Sequence, residues 1–250
     1  MPARRPRRGT FERLCPRCGR RRRFTDSSPP WMCASCGAEL PRRSTRDGLW
    51  DQLAAALLPP EDSPGALVLG GRTLVWIALA LWGLHFLAMD PATDAAGRSF
   101  LHHVNLTFHE AGHVLFRPFG RFLTVLGGSL FQVLVPLVVA GAFLVRRHPF
   151  GASVGLWWAG QSLIDVAPYI HDARRMTLPL LGGGTGQDRP GSHDWNNLLR
   201  WTGLLEWDHA IAMAAHLLGS ALLLGALLWG ALALWRGWRT PDRVRGPYPG

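Results

Sequence analysis

The sequence predicts an all-α polytopic membrane protein of about five transmembrane helices, with a small zinc-ribbon domain at its N-terminus. Three observations predict it. Five stretches between residues 66 and 235 are apolar over roughly bilayer length. Hydrophobic residues make up 48% of the 250 residues and charged ones only 18%. All four cysteines fall before residue 37, in two C-x-x-C pairs.

The ribbon comes first. "CPRCGRRRRFTDSSPPWMCASCG" sets Cys15 and Cys18 against Cys33 and Cys36, with 14 residues between the pairs and a glycine after each. That spacing suits one tetrahedral structural zinc, and a domain this short needs the metal's folding energy. A reducing cytoplasmic location argues against disulfides. Residues 1–46 carry 13 arginines against three acids (Glu12, Asp26, Glu39), whereas residues 47–250 carry 14 of each sign. The net charge of +10 is therefore an N-terminal property. The Arg20–Arg23 cluster reads as a topology signal that hugs the inner leaflet, and the ribbon as a docking point for a protein partner. With Phe24 and Trp31 the only aromatics beside it, the composition argues against a nucleic-acid partner. No apolar stretch in these 46 residues is long enough for a cleavable signal peptide.

After a linker over 47–65, the spanning candidates are 66–89, 100–116, 122–145, 150–170 and 209–235. The first holds Arg72 and the second is short and polar; the third, with Gly127, Gly128 and Pro136, is the candidate for re-entry. Trp50, Trp157, Trp201, Trp207, Trp235 and Trp238 lie near segment ends, as an interfacial belt requires. The expected setting is a bacterial plasma membrane with a cytoplasmic N-terminus. Strict alternation then puts the ends of the second and fourth spans toward the cytoplasm, but leaves Arg146, Arg147 and the basic tail over 237–250 outside. Between the fourth and fifth spans, 173–208 reads as a polar loop and an amphipathic interfacial helix starting near Trp195. Ser192 or Asp194 would cap that helix, so His193 and Asp194 read mainly as surface cap residues, with a supplementary metal-ligand role as the lesser reading.

The chemistry concentrates in "FHEAGHVLFRPF", residues 108–119. His109 and His113 are four apart and share a helix face, so both can bind one ion. Glu110 lies about 100° round the helix, where it can act on water without being a ligand. His102 and Asn105 extend the polar stripe. Such residues are expensive within a membrane and mark function or a polar interhelical seam. Catalytic zinc needs a third protein ligand. In "GQSLIDVAPYIHDAR", Gln161, Asp165, Pro168 and Asp172 share one face. Asp165 and Asp172 are ~10.5 Å apart along an undisturbed helix, too far to bind one ion together. His171 points off that stripe, and either carboxylate remains open as the third ligand.

These motifs resemble the site-2 protease family of intramembrane zinc metalloproteases over roughly residues 98–175. "HEAGH" corresponds to that family's H-E-x-x-H, "GGSLFQ" (127–132) to its glycine-containing segment, and "LIDVAPYIHDA" to its second motif. There Asp165 stands where Asn is common and Ala173 where Gly is usual. The resemblance implies a catalytic zinc on His109, His113 and Asp172, with Glu110 as general base. It also implies a membrane-protein substrate cleaved in or beside a transmembrane helix. The other function class that suits the sequence is a catalytically silent membrane scaffold that binds through its ribbon.

Overall fold

A computed structural model describes residues 13–14, 21–22, 32–33, 35–38, 57–58 and 64–239. The chain divides into two compact units, Met1–Leu53 and Ala54–Gly250. In the first, strands β1 (Arg13–Leu14) and β2 (Arg21–Arg22) pair antiparallel, Arg13 opposite Arg22. The second cysteine pair sits in a tight turn: the Gly37 N–H donates to Cys33 O, and the Cys33 N–H donates to Ala38 O, both at 2.9 Å. Gly37 has a φ of 69°, a conformation that glycine tolerates without strain. Cys15, Cys18 and Trp50 lie outside the described residues.

The second unit is helical. Its elements are α1 (Ala66–Leu87), α2 (Phe100–Phe116), α3 (Arg121–Val145), α4 (Pro149–His171), α5 (Asp194–Thr202) and α6 (Asp208–Arg239). Local chemistry sets their bounds. The Ser99 hydroxyl caps α2 by accepting from the Leu101 N–H. Pro118 follows α2 in a 3-10 turn, and Gly120, at φ 92°, swings the chain into α3. Arg147 (φ 59°) and Pro149 turn α3 into α4. Gly203 ends α5 in the left-handed conformation, and His193 rather than Ser192 or Asp194 caps its start.

Three segments are long and apolar enough to cross a membrane: Ala66–Leu87, Arg121–Val145 and Leu205–Arg239. Their outer stripes are uncovered, as at Leu67, Leu74 and Leu81 on α1 and Leu217, Leu224 and Leu228 on α6. α4 is the central helix, buried along most of its length against α3 and α6. Covered by protein rather than lipid, it can carry Gln161, Ser162 and Asp165 inside. Gly160 of α4 and Gly219 of α6 bring the two backbones together; a Cβ on Gly160 would come within 2.7 Å of Gly219 O. Trp157 is not interfacial as expected but packs in the core with Phe86 and Leu223. Trp201, Trp207, Trp235 and Trp238 are exposed.

The helix directions correct the expected alternation. α1 runs antiparallel to α6: Leu69 meets Gly237, Trp76 donates to Leu227 O at 2.9 Å, and Gly83 meets Leu223. α4 is also antiparallel to α6, from Ser153 beside Gly230 to His171 stacked on His209 at 3.8 Å. α1 and α4 therefore point the same way. α3 opposes α4, with Phe143 on Gly151 and Ala140 on Gly155. The ends of α1 and α4 and the starts of α3 and α6 thus share one end of the bundle. α2 leaves from that end and returns to it. Its 17 residues span only ~25 Å against a hydrocarbon core of ~30 Å. α2 therefore does not run end to end, and α3, a candidate for re-entry by its glycines and proline, is a continuous 25-residue helix, as a full span requires.

Candidate metal centre

α2 presses its histidines onto α3 where α3 has no side chains. A Cβ on Gly128 would stand 2.6 Å from His109 Nε2 and 2.7 Å from His113 Cε1. Gly112 likewise faces the Gly127 carbonyl with no room for a side chain. Each ring is held at its Nδ1 atom. His113 Nδ1 lies 2.8 Å from Thr124 O, a backbone carbonyl that can only accept, so the proton is on Nδ1. His109 Nδ1 lies 2.9 Å from Gln132 Oε1. The Gln132 amide is oriented by its Nε2, which donates to Ser162 Oγ at 3.3 Å, while Ser162 Oγ donates back to Gln132 O at 3.0 Å. With both Nδ1 atoms engaged, the Nε2 atoms are the ones left for a further partner.

They aim at Asp194. Its Oδ2 atom lies 3.0 Å from His109 Nε2 and 3.2 Å from His113 Nε2. Among the described residues, these three form the group with metal-ligand geometry, their donor atoms all within 4.8 Å of one another. Burial pushes the Asp194 carboxyl up, but its contacts with the two histidines outweigh this and hold it below the usual carboxylate range. At these distances a proton shared with an imidazole compensates the carboxylate, and the same three donors converge closely enough to take a divalent cation in its place. Two Nδ1-tethered histidines and a carboxylate fit a divalent metal, and the carbonyl acceptors behind them are the usual outer support.

A loop delivers Asp194. The Asp194 N–H donates to the Tyr169 hydroxyl at 3.0 Å, and the Tyr169 ring lies against His193. His193 Nδ1 accepts from the Asn196 N–H, leaving its Nε2 to face Asp172 Oδ2 at 3.4 Å. Asp172 is thus not with the histidine pair. Its carboxylate accepts from Leu178 N at 2.8 Å and from Thr177 N and Oγ1 at 3.1 and 2.8 Å, tying down the loop that ends in Asp194.

Asp165 is not in the cluster either. It accepts from Asn105 Nδ2 at 3.1 Å and lies 3.1 Å from His102 Nδ1. Asn105 also donates to Gln161 and accepts from Trp158. The polar stripe of α2 therefore divides. Its first half is an interhelical seam with α4, and its second half is the histidine pair.

Glu110 makes no hydrogen bond among the described residues. It lines a cavity of about 460 Å³ together with His109, His113 and Asp194, and apolar walls come from Leu106, Val125 and the stretch Leu178–Leu181. Sequence reasoning took Asp194 mainly as a surface cap, with at most a supplementary ligand role; the available signal was a carboxylate closing a glycine-rich loop two residues after Ser192. No protein-family model matches the chain, and neither a curated protein nor a solved structure matches it.

Proposed function

We propose that this chain is a zinc-dependent intramembrane peptidase in which His109, His113 and Asp194 hold the catalytic metal and Glu110 is the general base. The observation that carries this reading is the convergence of two Nδ1-tethered imidazoles and one carboxylate on a single point, beside Glu110, a carboxylate without hydrogen bonds among the described residues. When bound, zinc supplies Lewis acidity that acidifies water and polarises a peptide carbonyl. Glu110 accepts the proton released as the water oxygen attacks the carbonyl carbon. It returns that proton to the amide nitrogen as the C–N bond breaks. Tyr169 holds the backbone of Asp194, and Leu106, Val125, Leu178 and Leu180 suit an unwound apolar segment. The substrate class is therefore a transmembrane or juxtamembrane peptide.

In this reading the H-E-x-x-H helix has the role that the site-2 protease resemblance implies, and the glycine segment lies on α3 against its two histidines. The third ligand comes instead from the loop after α4. In the bilayer of a bacterial plasma membrane, α1, α3, α4 and α6 cross, giving four spans, and α2 lies toward one side. Cys15, Cys18, Cys33 and Cys36 hold a second, structural zinc in a module that recruits a protein partner.

The test uses the full chain in detergent with a library of fluorogenic transmembrane peptides. Glu110→Gln is expected to keep its zinc and lose at least ~10²-fold in hydrolysis. Equal hydrolysis by both proteins would contradict the reading. Zinc binding without hydrolysis in either would support the silent scaffold.

A further inference from the structure

We propose that the metal centre opens on the extracytoplasmic side of the membrane, at the end of the bundle opposite the one where α1 begins, so that its substrate is presented from outside. The sidedness stands on the helix directions and the arginines alone; only the word substrate rests on the peptidase reading.

Both segments flanking α2 are at one end of the bundle. Before α2, Pro91–Thr93 share a small cavity with His171 and Asp172 at the end of α4. After it, Phe122 and Arg121 at the start of α3 pack on Trp201 of α5. His109, His113, Asp194 and the loop around Leu178–Leu181 belong to this end. At the other end are the start of α1, the turn between α3 and α4, and the last turns of α6. Leu57 and Leu58 are held there too, accepting from Trp229 Nε1 and Arg236 Nη1. Four crossings return the chain to the side where it began.

The arginines divide along the same line. Seven of the 27 belong to the site end: Arg98, Arg117, Arg121, Arg174, Arg175, Arg189 and Arg200. Arg174 is paired there with Asp208 and Glu206. Among the described residues the opposite end has Arg72, Arg146, Arg147, Arg236 and Arg239; in sequence, the 13 arginines of residues 1–46 come before α1, and Arg243 and Arg245 come after α6. Arginine retained in the cytoplasm sets orientation, and an arginine-rich sequence leading into α1, with Arg146 and Arg147 in the α3–α4 turn and an arginine-bearing tail after α6, favours a cytoplasmic start for α1. Five alternating spans would strand Arg146, Arg147 and the tail outside. Four spans with α2 turned aside put all of them with the N-terminus.

Single cysteines introduced into the full chain in intact cells test this, read with a membrane-impermeant maleimide before and after permeabilisation. Thr93→Cys and Phe119→Cys, which flank α2 at exposed positions, should label as completely in intact cells as after permeabilisation. Arg146→Cys and the native cysteines should label only once cells are opened, the native four with a chelator present. Labelling of Thr93→Cys and Phe119→Cys from opposite sides would make α2 a crossing helix and overturn the proposal. Labelling of Arg146→Cys in intact cells would also overturn it. The readout does not depend on catalysis, so failure of the peptidase reading leaves this test intact.

Discussion

Gln132 governs the site more than an uncharged side chain usually does. Its carbonyl fixes the His109 tautomer, and its amide is itself locked by Ser162. Gln132→Leu keeps the volume and removes the acceptor, so His109 loses the partner that aims Nε2 at Asp194. Zinc affinity, read by competition with a chelator, is expected to fall about 10–100-fold, with little change for Gln132→Glu, which still accepts. An unchanged affinity in Gln132→Leu would remove the tether from the account. At this scale the sequence is legible where spacing is local. His109, Glu110 and His113 are one turn of one helix, and their relation follows from helix geometry. Asp194 is 85 residues from His109, and no helical period links them. The carboxylates that did share a period, Asp165 and Asp172, were absorbed by a polar seam and by a loop turn.

The loop between α4 and α5 is the element that completes the site, and Asp172 anchors it. Burial pushes this carboxyl up, and contacts from His193, Leu178 and Thr177 more than reverse the effect, holding it below its ordinary 3.8. A depressed folded-state value means that the fold prefers the carboxylate. The resulting stability is present above ~4 and is lost as pH falls through the folded-state value, below 3.8. Hydrogen-exchange protection at the Thr177 and Leu178 amides should therefore collapse only in that acid window. Asp172→Asn should lack the protection already at neutral pH, and equal protection in both proteins would contradict the anchor. Element bounds were legible to within a few residues, because helices start or stop at Ser99, Pro118, Pro149 and Gly203 for local reasons. Element direction was not. Alternation presumes that every helix crosses, and α2, too short and too polar, instead leaves and re-enters at one end of the bundle.

For the whole molecule, the zinc proposed for the N-terminal cysteines and the zinc proposed for α2 and the α4–α5 loop would be separable by mutation, since their ligands belong to different units of the chain. That separation makes metal content the most direct reading of the central claim. Elemental analysis of purified wild-type protein should find about two zinc per chain, on the ligand sets of a structural and a catalytic site. Asp194→Asn should lose one of them while Asp165→Asn and Asp172→Asn keep both, and Cys33→Ser should lose the other. Full zinc in Asp194→Asn, or a loss confined to Asp172→Asn, would contradict a centre built on His109, His113 and Asp194.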